Sequence, residues 1–376
     1  MSTIKILHIA DVHLEAPFKY LGSKGKERRL ELKETFENLL TKAEEHDVDA
    51  VFIAGDLYEF SYSTRDLGNF ISKCFRLVGD TPVIIAPGNH DPYTKTSLYS
   101  LMKWPENVYI FSKNSFERVE IGDKFAVYGI ANTNFLDRTN YLANLNIDES
   151  DLPCLGIMHG SYMPYSALLT DSAETCLPFT ESDLRNLSLD YLALGHYHRY
   201  TEIKVDGSVI GAYPGTVEPL NFDEAGERNA IIVKIGSGGV KLEKEPTGIR
   251  SYEILEIDCS RATCLDDIIS EIKRVDVSRN SIVKIVLTGE IDPSVDFRPE
   301  EIEIAANRLF YHAIVENETI PYYDLESISR EQSLRGEFVR RILQKIEENP
   351  EDELVLRKAL YYGLEAFNQD KREVPL

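Results

Sequence analysis

Cysteine is scarce in this chain. Only Cys74, Cys154, Cys176, Cys259 and Cys264 occur among 376 residues, an odd number with no C-x-x-C pair. A disulfide framework, a zinc knuckle or thiol chemistry is therefore not expected. No apolar run approaches the roughly 18 residues that a membrane helix needs, so no membrane association is expected. The opening MSTIKILHIAD does not separate into basic, apolar and small-residue regions. It reads as a strand followed by an acidic residue, which predicts no signal peptide and a cytoplasmic location. Repeats and low-complexity tracts are absent. Basic charge is also short: 41 Lys and Arg face 63 Asp and Glu, a net charge of −22. Such a balance argues against a nucleic-acid binder that works through a basic surface. It leaves open an enzyme that meets phosphate through bound cations, which would be the largest local charges in such a site.

What is present is ordinary for a globular protein, with 43% apolar and 28% charged residues. The length predicts two or three domains. Through about residue 235, short apolar runs rich in β-branched residues recur at 4–10, 50–54, 82–86, 125–130, 155–158 and 191–194. A helical pattern fills 28–46, which together with these runs predicts an α/β domain. Two hairpins follow, 202–213 turning at Asp206-Gly207 and 230–243 turning within 236–239. Pro246-Thr247-Gly248 marks a boundary. Beyond it a strand (251–257), helix (265–274), strand (282–287), helix (299–310) and strand (311–315) predict a small α+β module. From Ser329 the chain is charged and helical. Leu334, Phe338, Ile342 and Ile346 form one apolar stripe; Leu356, Leu360, Leu364 and Phe367 form another. The expected division is 1–248, 249–325 and 326–376.

The polar residues are informative by position. Asp11 and His13 follow the first apolar run, Gly55-Asp56 the second, and Gly88-Asn89-His90-Asp91 the third. His159 and Gly195-His196-Tyr197-His198 follow two later runs. Five of the eight histidines thus lie just after a predicted strand, where loops of α/β sheets converge on ligands. Imidazole, carboxylate and amide without thiolate suit Mn, Fe, Ni or Zn. Two such ions roughly 3.5–4 Å apart would clamp a phosphate and lower the pKa of a shared water. Asp56, alone on its loop, is the natural bridging carboxylate. His8, inside the first strand, reads as structural, and His46 and His312 as surface residues.

In that order, D-x-H, G-D, G-N-H-D, H and G-H-x-H resemble the calcineurin-like metallophosphoesterase superfamily, across most of the first 235 residues. The resemblance implies a four-layer αββα sandwich with a dinuclear centre. It implies that Asp11, His13, Asp56 and His198 hold one metal, and that Asp56, Asn89, His159 and His196 hold the other. His90 would be the catalytic histidine, with Asp91 as its orienting carboxylate. ILHIADVH (6–13), AGDLY (54–58), APGNHD (86–91), LGHYH (194–198) and Tyr213-Pro214-Gly215 followed by Glu224 resemble, more narrowly, the SbcD, Mre-type and YhaO-like DNA-repair exonucleases. This implies a Mn-dependent phosphodiesterase acting on DNA through a metal-bridging hydroxide. The module after residue 250 would be the capping domain. The terminal helices would dock an SMC-like ATPase of the SbcC or Rad-fifty type, and a homodimer is compatible with the resemblance. One position departs: some of these nucleases carry a second histidine three residues after the G-D aspartate, where this chain has Glu59.

Lys19, Lys24, Lys26, Arg28 and Arg29 face only Glu27 across residues 19–29. This local excess beside the Asp11–His13 loop is the candidate DNA-backbone contact. Residues 141–190 hold eight acidic residues and only Arg185, so no DNA path is expected there. Two other functions fit the same residues: a small-molecule or cyclic-nucleotide phosphodiesterase or phosphatase, and a scaffold protein with a vestigial centre.

Overall fold

The computed structural model describes residues 3–147, 151–163, 175–185, 187–292, 295 and 297–369. Part of the acidic stretch 141–190 and the last seven residues of the terminal segment therefore lie outside the described residues. The chain divides into two compact units, Met1–Tyr252 and Glu253–Leu376.

Among the described residues, twelve strands build the first unit. They are β1 (Ile4–Ile9), β2 (Ala50–Ile53), β3 (Val83–Ile85), β4 (Val108–Ile110), β5 (Glu117–Ile121) and β6 (Phe125–Gly129), followed by β7 (Cys154–His159), β8 (Tyr191–Gly195), β9 (Thr201–Val205), β10 (Ser208–Tyr213), β11 (Arg228–Gly236) and β12 (Gly239–Thr247). One six-stranded sheet has the order β12-β11-β1-β2-β3-β4, the other β5-β6-β7-β8-β10-β9. Their facing sides share one apolar core. Ile4, Ile6, Phe52 and Ile84 come from the first sheet, and Val127, Leu155, Ile157 and Tyr191 from the second. In β1 the pleat sends Ile4, Ile6 and His8 into this core, while Leu7 and Ile9 are buried on the opposite face.

Helices cover the outer faces. In α1 (Gly25–Glu45) the buried residues Leu32, Phe36, Leu39, Leu40 and Ala43 form one stripe. Phe36 meets Phe75 of α2 (Arg65–Phe75), with ring centroids 6.2 Å apart. Thr64 caps α2 by accepting a hydrogen bond from Leu67 N. Outside the second sheet the helical layer is thin among the described residues, where α4 (Glu181–Arg185) is five residues long. The short α3 (Leu98–Leu101) lies near α2 instead, and Trp104 just after it meets Phe75 with centroids 5.8 Å apart. The αββα plan is the one expected. The Asp206-Gly207 hairpin is also as expected, with φ of 50° and 84° at the turn.

In the second unit β13 (Tyr252–Asp258), β14 (Ile282–Thr288) and β16 (His312–Asn317) form a sheet, while β15 (Glu290–Ile291) pairs with β17 (Ile320–Pro321). The helices α5 (Leu265–Arg274) and α6 (Pro299–Ala306) contribute Ile268, Ile272, Ile302 and Ala306 to a core with Val283, Ile285 and Leu287. A separate cluster joins Tyr323, Ile328, Val339, Leu360 and Leu364 from the segment containing α7 (Leu325–Ser329), α8 (Leu334–Glu348) and α9 (Glu353–Gln369). Leu334, expected in the α8 stripe, is 82% exposed, and Val339 is the buried centre of that helix. Among the described residues no helix is long and apolar enough to cross a membrane.

Candidate metal centre

Strands β1 to β4 run parallel, as do β6, β7, β8 and β10. The loops leaving their carboxyl ends therefore gather at one edge of the sandwich. Backbone bonds stitch them together. Asp11 N donates to Gly55 O at 3.1 Å, and His13 N to Asp56 O at 2.9 Å. His90 N donates to Asp56 Oδ1 at 2.8 Å, and His196 N to both Asp11 carboxylate oxygens at 3.1 Å. Asp11, His13, Asp56 and His196 all have positive φ, a conformation that non-glycine residues adopt at a cost. The close approach requires glycine, as Gly88 and Gly195 show. A Cβ at Gly88 would collide with Asp56 Oδ1, and one at Gly195 with the Ala54 carbonyl.

All the candidate ligands come together. Ligand atoms of Asp11, His13 and His198 lie within 4.8 Å of one another, as do those of Asp11, Asp56 and His159, and those of His13, Asp56 and His90. Asn89 Oδ1 is 2.9 Å from His159 Nε2. The His196 ring packs on His159 with centroids 5.2 Å apart. Asn89, His90, His196 and His198 also line a cavity of about 860 Å³, together with Asp56 and Glu224.

The donor set fits cations. His13 Nδ1 lies 2.8 Å from Glu59 Oε1, His198 Nδ1 2.8 Å from Glu224 Oε1, and His159 Nδ1 3.0 Å from Ala54 O. These partners only accept, so each Nδ1 carries a proton and each ring turns its Nε2 inward, the nitrogen left to ligate a cation. The inward atoms then face other acceptors. His13 Nε2 is 3.3 Å from His198 Nε2, and His159 Nε2 is 3.3 Å from Asp56 Oδ2. Such a cluster is held by positive charge shared among its nitrogens and carboxylates, which protons supply in the free protein and a cation would supply in their place. Anchoring each ligating imidazole through its far nitrogen is how metal sites fix ring orientation.

The electrostatics follow from burial and neighbours. Burial raises the Asp11 carboxyl above its usual range. Burial also pushes Asp56 upward, but His159, His13 and His90 outweigh it and hold Asp56 well below the usual carboxylate range. His159 is opposed by burial, yet Asp56 lifts it to about 9. His90 rises to about 9, first through its hydrogen bond with Glu59. Glu59 falls to about 2, because its bonds to His13 and His90 outweigh burial.

Two expectations change. Asp91 is not the orienting partner of His90. Fully buried, it accepts from Gly88 N at 2.7 Å, Leu57 N at 2.7 Å, Asp56 N at 3.1 Å and Tyr99 Oη at 2.6 Å. It ties the loops after β2 and β3 together, and Glu59 takes the place beside His90. The basic cluster also breaks up. Arg28 is fully buried and paired with Glu218 and Glu31, so it cannot reach a DNA backbone. Arg29 is half-buried against Glu15 and the Pro17 carbonyl. Lys19 and Lys26 are exposed and Lys24 is half-buried. None of the five lines the cavity, whose wall carries Arg199 instead. Glu59, Glu224 and Tyr99 are the functional neighbours that residue order did not assign. Glu59 is visible in the sequence only as a carboxylate three residues after Asp56.

The Calcineurin-like phosphoesterase family matches residues 4–200. The chain is 25% identical over 273 residues to the uncharacterized metallophosphoesterase YhaO of Bacillus subtilis, covering 70% of this chain and 65% of that protein. It is 29% identical over 329 residues to the DNA double-strand break repair protein Mre11 of Methanopyrus kandleri, covering 81% and 68%. It is 26% identical over 254 residues to the SbcD component of the nuclease SbcCD of Staphylococcus epidermidis, covering 60% and 64%. The match thus spans about two thirds of these relatives. A family match over more than half the sequence, ending in a cluster of inward-facing imidazoles and carboxylates, makes the chain a member of the calcineurin-like phosphoesterase family, whose members use a dinuclear divalent-metal centre.

Proposed function

We propose that this chain is a metal-dependent phosphodiesterase acting on DNA ends, an exonuclease of the SbcD and Mre type. The observation that carries the reading is the convergence of the His13, His159 and His198 Nε2 atoms on Asp11 and Asp56, with every Nδ1 already engaged. Asp11, His13, Asp56 and His198 would hold one divalent cation, and Asp56, Asn89, His159 and His196 the other, with Mn²⁺ the expected metal. When bound, such a pair supplies Lewis-acid charge and a more acidic water at neutral pH. The side chains do the rest. His90, 46% exposed at the cavity wall, has its Nδ1 held by Glu59 and its Nε2 free of that contact. From there it would donate to the phosphate and protonate the leaving oxygen. Asp91 and Tyr99 would hold the loop that carries it.

The names of the Mre11 and SbcD relatives support DNA as substrate. In this reading residues 249–325 form a capping domain, and the helices of 326–376 dock an SMC-like ATPase. Leu334, Leu354, Val355 and Tyr362, each at least 66% exposed, are the surface available for that contact. All five cysteines are free, which supports a reducing, cytoplasmic compartment. A second reading, a small-molecule phosphodiesterase, draws on the size of the cavity and the net charge of −22.

The test is an assay with Mn²⁺ on end-labelled duplex DNA beside a small chromogenic phosphodiester, with His90→Ala as control. Mononucleotide release that falls about 10²–10⁴-fold in the variant, with metal content unchanged, is the expected result. Turnover of the small diester alone moves the assignment to the second reading.

A further inference from the structure

Glu59 differs from the other carboxylates around the centre. Glu224 serves one imidazole, His198, and spends its other oxygen on Thr216 Oγ1 and Leu220 N, at 2.9 and 3.0 Å. Glu59 serves two imidazoles. Its Oε1 lies 2.8 Å from His13 Nδ1, and both its oxygens lie 3.1 Å from His90 Nδ1. The two rings meet edge to face, with centroids 4.8 Å apart. The backbone holds this arrangement as well. Glu59 N donates to Leu14 O at 2.9 Å, one residue after His13, and Phe60 N donates to His90 O at 3.0 Å. The segment carrying the carboxylate is thereby stitched to both histidine loops.

The two rings face different tasks. His13 is buried, with Nε2 turned to His198 and Asp56 among the candidate cation ligands. His90 stands half-exposed at the cavity wall. A carboxylate only accepts, so it sets the same tautomer in both rings and leaves both Nε2 atoms for work elsewhere.

We infer that Glu59 is a positioning residue shared between the cation site and the catalytic histidine, so that one carboxylate sets both the affinity for the ion and the efficiency of turnover once the ion is bound. The inference rests on the proposed phosphodiesterase reading for the role of His90, but its His13 arm needs no substrate.

The experiment uses the full chain stripped of metal, as wild type, Glu59→Ala, Glu59→Asp, His90→Ala and the double variant Glu59→Ala/His90→Ala. Mn²⁺ affinity is measured by calorimetry, and the maximal rate on a small chromogenic phosphodiester at saturating Mn²⁺. Glu59→Ala is expected to weaken Mn²⁺ binding by about 10–100-fold, and to lower the metal-saturated kcat by a similar factor. In the His90→Ala background it weakens binding as before and leaves the metal-saturated kcat where His90→Ala alone had put it. Glu59→Asp, which keeps the charge, folds as wild type and recovers most of both losses. Unchanged Mn²⁺ affinity in Glu59→Ala overturns the inference. So does a loss of kcat that is equally large with His90 already removed, and so does a failure of Glu59→Asp to recover what Glu59→Ala loses. Should DNA prove not to be the substrate, the titration and the small diester still decide the role of Glu59.

Discussion

His8 and His159 are both completely buried on strands of the same two-sheet sandwich. His8 sits in the core between the sheets, with Nδ1 3.0 Å from Tyr191 Oη. Burial drives its pKa down to about 3. His159 closes β7 at the loop edge, where Asp56 Oδ2 is 3.3 Å from Nε2, and its pKa rises to about 9. Burial opposes the charged form in both places. The difference lies in the carboxylates that the loops bring up beside His159. Burial in this protein therefore does two jobs. In the core it excludes charge, and at the edge it concentrates charge of both signs within a few ångströms.

The sharpest way to break this contrast is Asp56→Asn. Asp56 lies near His13 and His159 and accepts from His90 N, so its loss leaves the inward imidazoles without their shared counter-charge. Turnover is expected to fall to background, and Mn²⁺ binding to drop below two ions per chain. Retained turnover with two bound ions would remove Asp56 from the metal centre. The measurements are metal content after dialysis and rate at saturating Mn²⁺.

Much of the edge is legible in the sequence, because each chemical residue follows a short apolar run that becomes a strand. Asp11, Asp56, Asn89, His159 and His196 need only the parallel order of the sheets to converge. The rest is not legible, for a physical reason. Asp91 follows His90 directly, yet it is consumed by three backbone N–H groups and Tyr99, and only the folded loops bring these together. Arg28 sits in a basic run, yet it occupies a buried position on α1 opposite Glu218, which is 190 residues away. The edge strand β4 is three half-buried residues, too short to carry a pattern. Local sequence records which side chains leave a strand end, whereas the partner of a buried charge is set by distant segments.

Arg28 provides a third case of burial, a charge kept in the interior by an opposite one. Its guanidinium pairs with Glu218 and Glu31, and Glu218 also accepts from Thr35 Oγ1 and from Ile249 N at 2.7 Å. Arg28→Ala leaves Glu218 buried without its cation, which costs roughly 3–5 kcal/mol. Urea or thermal denaturation checks this. A surface residue meant for DNA would behave the opposite way, losing DNA affinity at unchanged stability. That result would restore Arg28 to the basic cluster.

His8 supplies the smallest and most specific test. Its folded-state pKa is about 3, against 6.5 for an ordinary histidine. As pH falls below 6.5, the unfolded chain takes up a proton at this position and the folded chain does not. The stability tied to neutral His8 is therefore complete above pH 6.5, and is lost progressively as pH falls toward 3. At pH 5.5 the loss amounts to about 1.4 kcal/mol. His8→Gln removes this titration while keeping a group that can meet Tyr191 Oη. The substitution carries a cost of its own, so the informative quantity is how its ΔΔG changes with pH. Every other histidine titrates in both proteins and cancels from that difference. Measured by urea denaturation of metal-free protein, the gap between wild type and His8→Gln should narrow by about 1.4 kcal/mol from pH 7.5 to pH 5.5. Parallel stability curves would mean that the core admits a charged His8, and the contrast with His159 would then owe nothing to burial.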